Sequence, residues 1–194
     1  MPIVQADRLT RIGAALLRAA GASDEEAQAV AVGCVNANLA GHDSHGIIAV
    51  PTYIDRVKAG HIVPGAKWTI VQESPTTTVI DGHWGFGFHV NSKAMELTIA
   101  KARTANVAAC TVFRQSHVGF GVEPTGRHND GCFMAVFNVA AFRPLQDFKK
   151  EVAEFARYLK STPPSEGSSG VLYPGEVEYL REQERRKNGI EVED

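Results

Sequence analysis

Three segments carry side chains able to move protons, hold an anion or ligate a metal. Residues 41–46, Gly41-His42-Asp43-Ser44-His45-Gly46, place two imidazoles, a carboxylate and a hydroxyl between two glycines. Such glycines let backbone approach a ligand closely. The plainer reading stands beside it: His42 and Asp43 cap one helix while Ser44 and His45 begin the next. The second segment, Ser116-His117-Val118-Gly119, follows an apolar run at 107–113. An open α/β sheet presents its ligands there, beyond the carboxyl ends of its strands. An imidazole titrates near neutral pH, so His117 can take a proton from an alcohol as hydride leaves and return it in reverse. The alternative is a structural histidine at a strand exit. Gly119 and Gly121 would let backbone amides reach a cofactor or phosphate. The third segment, Asp81-Gly82-His83-Trp84-Gly85-Phe86-Gly87, has two alternate glycines but lacks the third of a dinucleotide fingerprint, and an aromatic turn capping the next helix is its commoner meaning. His42, Asp43, His45 and His117 match neither the helical two-histidine motif nor a paired-cysteine motif, so no metal is expected.

Regular elements must hold these side chains. Leu9, Ile12, Leu16 and Leu17 recur at helical spacing over 6–20, and Gly21 supplies a left-handed stop. Ser23 and Glu26 form a capping box ahead of a second apolar stripe that ends near Gly41. A shorter helix is expected from Ile47 to Ala59, bent at Pro51 and stopped by Gly60. Residues 68–71 and 76–80 are β-branched and aromatic and read as strands, the second ending in an Asp81-Gly82 turn. A helix over about 90–105 follows. The continuous apolar runs 107–113 and 132–139 read as buried strands, the first covered on both faces. Residues 145–160 return to helical periodicity, 161–170 form a Pro/Ser/Gly linker, and the charged helix over about 176–188 reads as mostly solvated.

Composition bounds the function. With 20 Lys+Arg against 22 Asp+Glu and a net charge of -2, no basic excess points to nucleic acid or an anionic membrane surface. A hydrophobic share of 44% can build a sizeable core, and no apolar run approaches the roughly 18 residues of a membrane span. The first helix begins too early and too charged for a secretory signal, so a cytoplasmic chain is expected. Cys34, Cys110 and Cys132, an odd number inside apolar stretches, read as buried thiols.

Several collinear blocks together resemble the type 2 malate/L-lactate dehydrogenases, and within them the hydroxycarboxylate dehydrogenase branch. The blocks are Asn38-Leu39-Ala40 running through residues 41–46 to Ile47, with Pro51, Tyr53-Ile54 and Gly60; Asp81-Gly82, Gly85-Phe86-Gly87 and Ala94-Met95; Ser116-His117-Val118-Gly119; and Val171-Leu172-Tyr173-Pro174-Gly175-Glu176 with Asn188-Gly189-Ile190. The resemblance implies an α/β (α+β-like) fold, with helical N- and C-terminal segments packed against a partial, non-Rossmann NAD-binding sheet. Its divisions would be an N-terminal helical region (1–66), a truncated cofactor-binding α/β region (67–142) and a C-terminal helical region (143–194). It implies NAD or NADP as cofactor, a small 2-hydroxy or 2-keto acid (or a related imino acid) as substrate, and a homodimer. His117 would be the proton acceptor. Ser44 and His45 would bind substrate, and His45, Gly119, Phe120 and Gly121 the cofactor.

Three departures from the family pattern stand out. Its members are almost twice as long, and the missing part is expected at about 138–142. Arginine is common in the family where this chain has Phe120 and Ala49, which leaves Arg56 and Arg114 as nearby candidates for the bidentate anchor of a substrate carboxylate. Residues 123–131 are helical in relatives, yet here contain Pro and Gly, which disfavour a helix interior by about 3 and 1 kcal/mol. The competing reading is a catalytically inactive, truncated remnant that acts through oligomerisation.

Overall fold

A computed structural model describes residues 1–116 and 130–192. Two helices, α1 (Ala6–Ala19) and α2 (Asp24–Ala40), form a hairpin through Gly21 at φ +101°. The capping box at the start of α2 is complete: Ser23 Oγ accepts from the Glu26 N–H, and the Ser23 N–H donates to Glu26 at 2.9 Å. The nearly fully buried Glu26 carboxylate also accepts the Gly65 N–H, joining the hairpin to a distant turn. After Gly41 at φ +89°, two short 3₁₀ turns, Asp43–His45 and Ile47–Ala49, lead into α3 (Val50–Lys58). Pro51 therefore sits in the first turn of α3 and does not bend it, because the amide it lacks has no helical partner there. Leu17, Val30, Cys34, Val50, Tyr53 and Ile62 close this helical core, joined by Phe86 from the sheet.

The sheet runs β2-β3-β4-β5, formed by β2 (Thr69–Glu73), β3 (Thr77–Phe86), β4 (Val107–Ser116) and β5 (Asp130–Phe137). The central pair is parallel, connected by the crossover helix α4 (Gly87–Ala105), while both outer pairs are antiparallel. The expected turn at Asp81-Gly82 is instead a bulge inside β3: the register shifts between Asp81 and Gly85, and His83 and Trp84 take φ of +46° and +65°.

Helix α4 covers one face, packing Val90 and Ala94 on Ile80, Cys110 and Val112. The strand at 107–113 is therefore not covered on both sides: Ala108, Cys110 and Val112 are buried while Thr111 is exposed. The run at 132–139 is not buried either. It makes edge strand β5, with Phe133 70% and Phe137 61% exposed. An unbroken apolar run reads the same whether or not a second layer covers it. Cys132 on β5 is accordingly half-buried, unlike the buried Cys34 and Cys110.

Two-residue strands that the sequence does not signal, β1 (Ile3–Val4) and β6 (Ile190–Glu191), pair the two ends of the chain. Fully buried Ile190 packs there with Leu9, Val35 and Leu39. The amphipathic α5 (Leu145–Ser161) has no buried residue, and its apolar stripe of Leu145, Phe148, Val152 and Phe155 faces outward. Helix α6 (Glu176–Asn188) lies against α2. Among the described residues no helix is long and apolar enough to cross a membrane.

Candidate active site

Loop 41–46 is built by its neighbours. Asn38, buried in the last turn of α2, donates through Nδ2 to Asp43 Oδ1 at 2.7 Å and accepts the Ile47 N–H on Oδ1 at 2.8 Å. Arg185 on α6 grips the Asp43 carboxylate with both arms, Nη1 to Oδ1 at 2.7 Å and Nη2 to Oδ2 at 2.9 Å, and also donates to the Asn38 carbonyl oxygen. The Arg185 hydrogen bond, with a lesser contribution from Asn38, holds the Asp43 carboxyl below the usual aspartate range against the opposing effect of partial burial. Between these fixed points Ser44 and His45 stand exposed, Ser44 Oγ lying 3.1 Å from His45 Nδ1. The structure thus brings the side chains of Ser44 and His45, which the sequence singles out, against each other.

The glycines of the loop answer to this scaffold. A Cβ on Gly41 would meet Arg181 Nη1 at 2.4 Å, and one on Gly46 would meet the Asn38 side chain at 2.2 Å. Both positions admit close approach by protein groups.

A second polar cluster lies at the bulge. Arg114, at φ +48°, reaches the buried Asp81 with Nε at 2.9 Å and with Nη2. The His83 N–H donates to Asp81 at 3.0 Å, and His83 Nε2 lies 2.9 Å from Thr69 Oγ1. The Arg114 hydrogen bond chiefly holds Asp81 below its ordinary pKa, opposed by burial and aided by the His83 amide. One edge of the Arg114 guanidinium is thereby committed to Asp81, and Arg56, the other candidate anchor, is 5% exposed.

Next to the carboxyl end of β4 a cleft of about 640 Å³ opens between α4 and β5, walled by Phe88, Met95 and Met134. Gln115, only 3% exposed, and Asn91 are among the residues lining this cleft, and among the described residues their buried Oε1 and Oδ1 have no hydrogen-bond partner. A Cβ on Gly87 would come within 2.6 Å of that Gln115 oxygen. His117, Gly119, Phe120 and Gly121 follow directly after Ser116 and lie outside the described residues. Among the described residues no group of three His, Cys, Asp or Glu side chains could hold a metal.

Sequence reasoning misses Arg185, which looks like one more cation on a charged helix, because its partner lies 142 residues away. Asn38 had a signal: an amide on the buried stripe of a helix just before its glycine stop.

Comparison with known proteins places these features in a family. The model of the malate/L-lactate dehydrogenases matches residues 4–126 and 120–194. The L-sulfolactate dehydrogenase of Methanocaldococcus jannaschii is 42% identical over 104 residues, 54% of this chain and 30% of that protein. Hydroxycarboxylate dehydrogenase B of Escherichia coli O157:H7 is 37% identical over 105 residues, 54% and 29% of the two chains. The matched stretch is thus about a third of the length of these curated relatives, and the chain is about half as long as they are. In fold, the structure of the sulfolactate dehydrogenase of M. jannaschii superposes with a TM-score of 0.90 at 21% identity, over 100% of this chain and 94% of that one. Malate dehydrogenase from Entamoeba histolytica gives 0.89 at 21% identity, over 97% and 93%. The end-to-end structural match and the shorter sequence match are reconciled by an internal deletion. The two matched stretches meet at 120–126, and not at the 138–142 expected from the resemblance. By the family model, matched along nearly its whole length, this chain belongs to the malate/L-lactate dehydrogenase family.

Proposed function

We propose that the chain is an oxidoreductase that moves hydride between NAD or NADP and a small 2-hydroxy or 2-keto acid. The observation that carries this reading is the exposed Ser44–His45 pair, 3.1 Å apart on a loop fixed at both ends, in a chain of this family. The Ser44 hydroxyl against Nδ1 fixes the orientation of the His45 ring on the loop. The serine hydroxyl can donate to or accept from Nδ1, so it can hold either tautomer of the ring.

His117, one residue beyond the carboxyl end of β4, is the proposed proton acceptor in hydroxyacid oxidation and the donor in the reverse direction. Ser44 and His45 orient the substrate, and His45 with Gly119, Phe120 and Gly121 flanks the cofactor. The cleft suits such a group: its apolar wall of Phe88, Met95 and Met134 would take a flat ring. When bound, nicotinamide supplies the hydride acceptor or donor.

The test follows NADH and NADPH oxidation with a panel of 2-keto acids, alongside cofactor fluorescence. Turnover is expected, falling on the order of 10² to 10⁴-fold in His117→Ala. No turnover with any acid and no change in cofactor fluorescence would overturn the proposal.

A second reading, a catalytically inactive remnant acting through self-association, draws on the outward apolar stripe of α5 and the exposed Phe133 and Phe137 of edge strand β5. A homodimer is the expected product, because two antiparallel edges related by a two-fold axis can pair with each other.

A further inference from the structure

We infer that Arg185 is a positioning residue for the Ser44–His45 pair, and that α6 serves as the splint of the site loop. The inference rests on the reading that this pair contacts substrate or cofactor. Glu178, Arg181 and Arg185 stand at i, i+3 and i+7, which places them on one face of α6. Each meets a different point of the loop. Glu178 lies 3.8 Å from His42 Nε2, Arg181 donates to the Gly41 carbonyl oxygen at 3.4 Å, and Arg185 takes Asp43.

These contacts differ in weight. His42 is 60% and Glu178 42% exposed at the side chain, so water screens that pair and it fixes little. The Arg185 fork, with Arg185 24% and Asp43 42% exposed at the side chain, is set apart by two short bidentate bonds and by sharing Asp43 Oδ1 with Asn38 Nδ2. Asn38 in turn receives the Ile47 N–H. The chain of bonds Arg185–Asp43–Asn38–Ile47 therefore holds the Asp43 side chain and the Ile47 backbone amide, on either side of Ser44 and His45. Both Arg185 arms are spent on the protein, so the residue acts through the loop and not as an anchor for substrate.

Nuclear magnetic resonance of the His45 ring, assigned with His45→Gln in the full chain, tests this directly. Arg185→Met is expected to move the His45 ring signals while the Tyr53 and Phe86 ring signals of the helical core stay in place, and Arg185→Lys to lie between. Asp43→Asn should shift the same signals, and combining it with Arg185→Met should add little. NADH affinity, read by fluorescence, should fall on the order of tenfold or more in Arg185→Met, because small misplacements of contact groups cost at least that. His45 signals that coincide with wild type in both Arg185 variants would overturn the inference. Wild-type chain that fails to bind NADH would overturn the functional reading alone, since the ring signals still judge the splint.

Discussion

Asn38 satisfies three groups with one buried amide and its own carbonyl: the Asp43 carboxylate, the Ile47 N–H and the Arg185 guanidinium. Asn38→Ala strands the Ile47 amide and withdraws a donor from Asp43, for which a loss of about 1 to 3 kcal/mol is expected. Urea unfolding measures it, and a loss under about 0.5 kcal/mol, the scatter of an ordinary surface change, would contradict the accounting. Asp81 makes a prediction of another kind. Its carboxyl, 4% exposed, is held below its ordinary pKa by Arg114 and the His83 amide. The unfolded chain, with an ordinary carboxyl, binds the proton first as pH falls. The contribution of Asp81 to stability is thus complete above the ordinary aspartate pKa and drains away as pH drops through the lower folded value. Asp43, lowered by Arg185 and Asn38, acts in the same direction. Urea midpoints measured between about pH 6 and pH 3 should fall toward acid, and more shallowly in Asp81→Asn; parallel curves for variant and wild type would refute this.

At the scale of elements, the start of α2 gives the cleanest local test. Ser23→Ala removes the cap of the Glu26 amide, and a loss of about 1 kcal/mol is expected by thermal or urea unfolding, whereas Ser23→Asp should retain most of the stability. An alanine variant as stable as wild type would show the box to be incidental. Such signals explain which elements the sequence discloses. Capping residues, Gly21, Gly41 and the spacing of apolar residues are local, so α1, α2, α4, α5 and α6 can be placed from them to within a few residues. Burial is not local. The stripe of α5 and the run of β5 look like core, yet their exposure depends on which layers lie beside them. The β1–β6 pair escapes notice for the same reason, since two-residue strands from opposite ends have no pattern of their own. In the site, the Ser44–His45 pair is legible because the residues are adjacent, while the Arg185 grip spans 142 residues and is not.

The whole molecule is a family fold about half the length of its relatives, with its two matched stretches meeting at 120–126. Here β5 forms the edge of the sheet and α5 follows it with no buried residue. Exposed aromatic side chains on both, Phe133, Phe137, Phe148 and Phe155, form more apolar surface than isolated exposed residues would. A strand edge that is unpaired among the described residues favours a second copy, as does exposed apolar surface, since association satisfies backbone groups and buries that surface. Sedimentation velocity on the intact chain should therefore show reversible, concentration-dependent association. The double substitution Phe148→Glu/Phe155→Glu should weaken it, and Phe133→Lys on β5 should do so independently. None of these side chains packs in any of the three core clusters among the described residues, so the thermal melting of the dissociated variants should stay close to that of the wild-type monomer. A wild-type chain that sediments as a monomer and binds no apolar dye would show that these faces need no partner, and the second functional reading would fall with them.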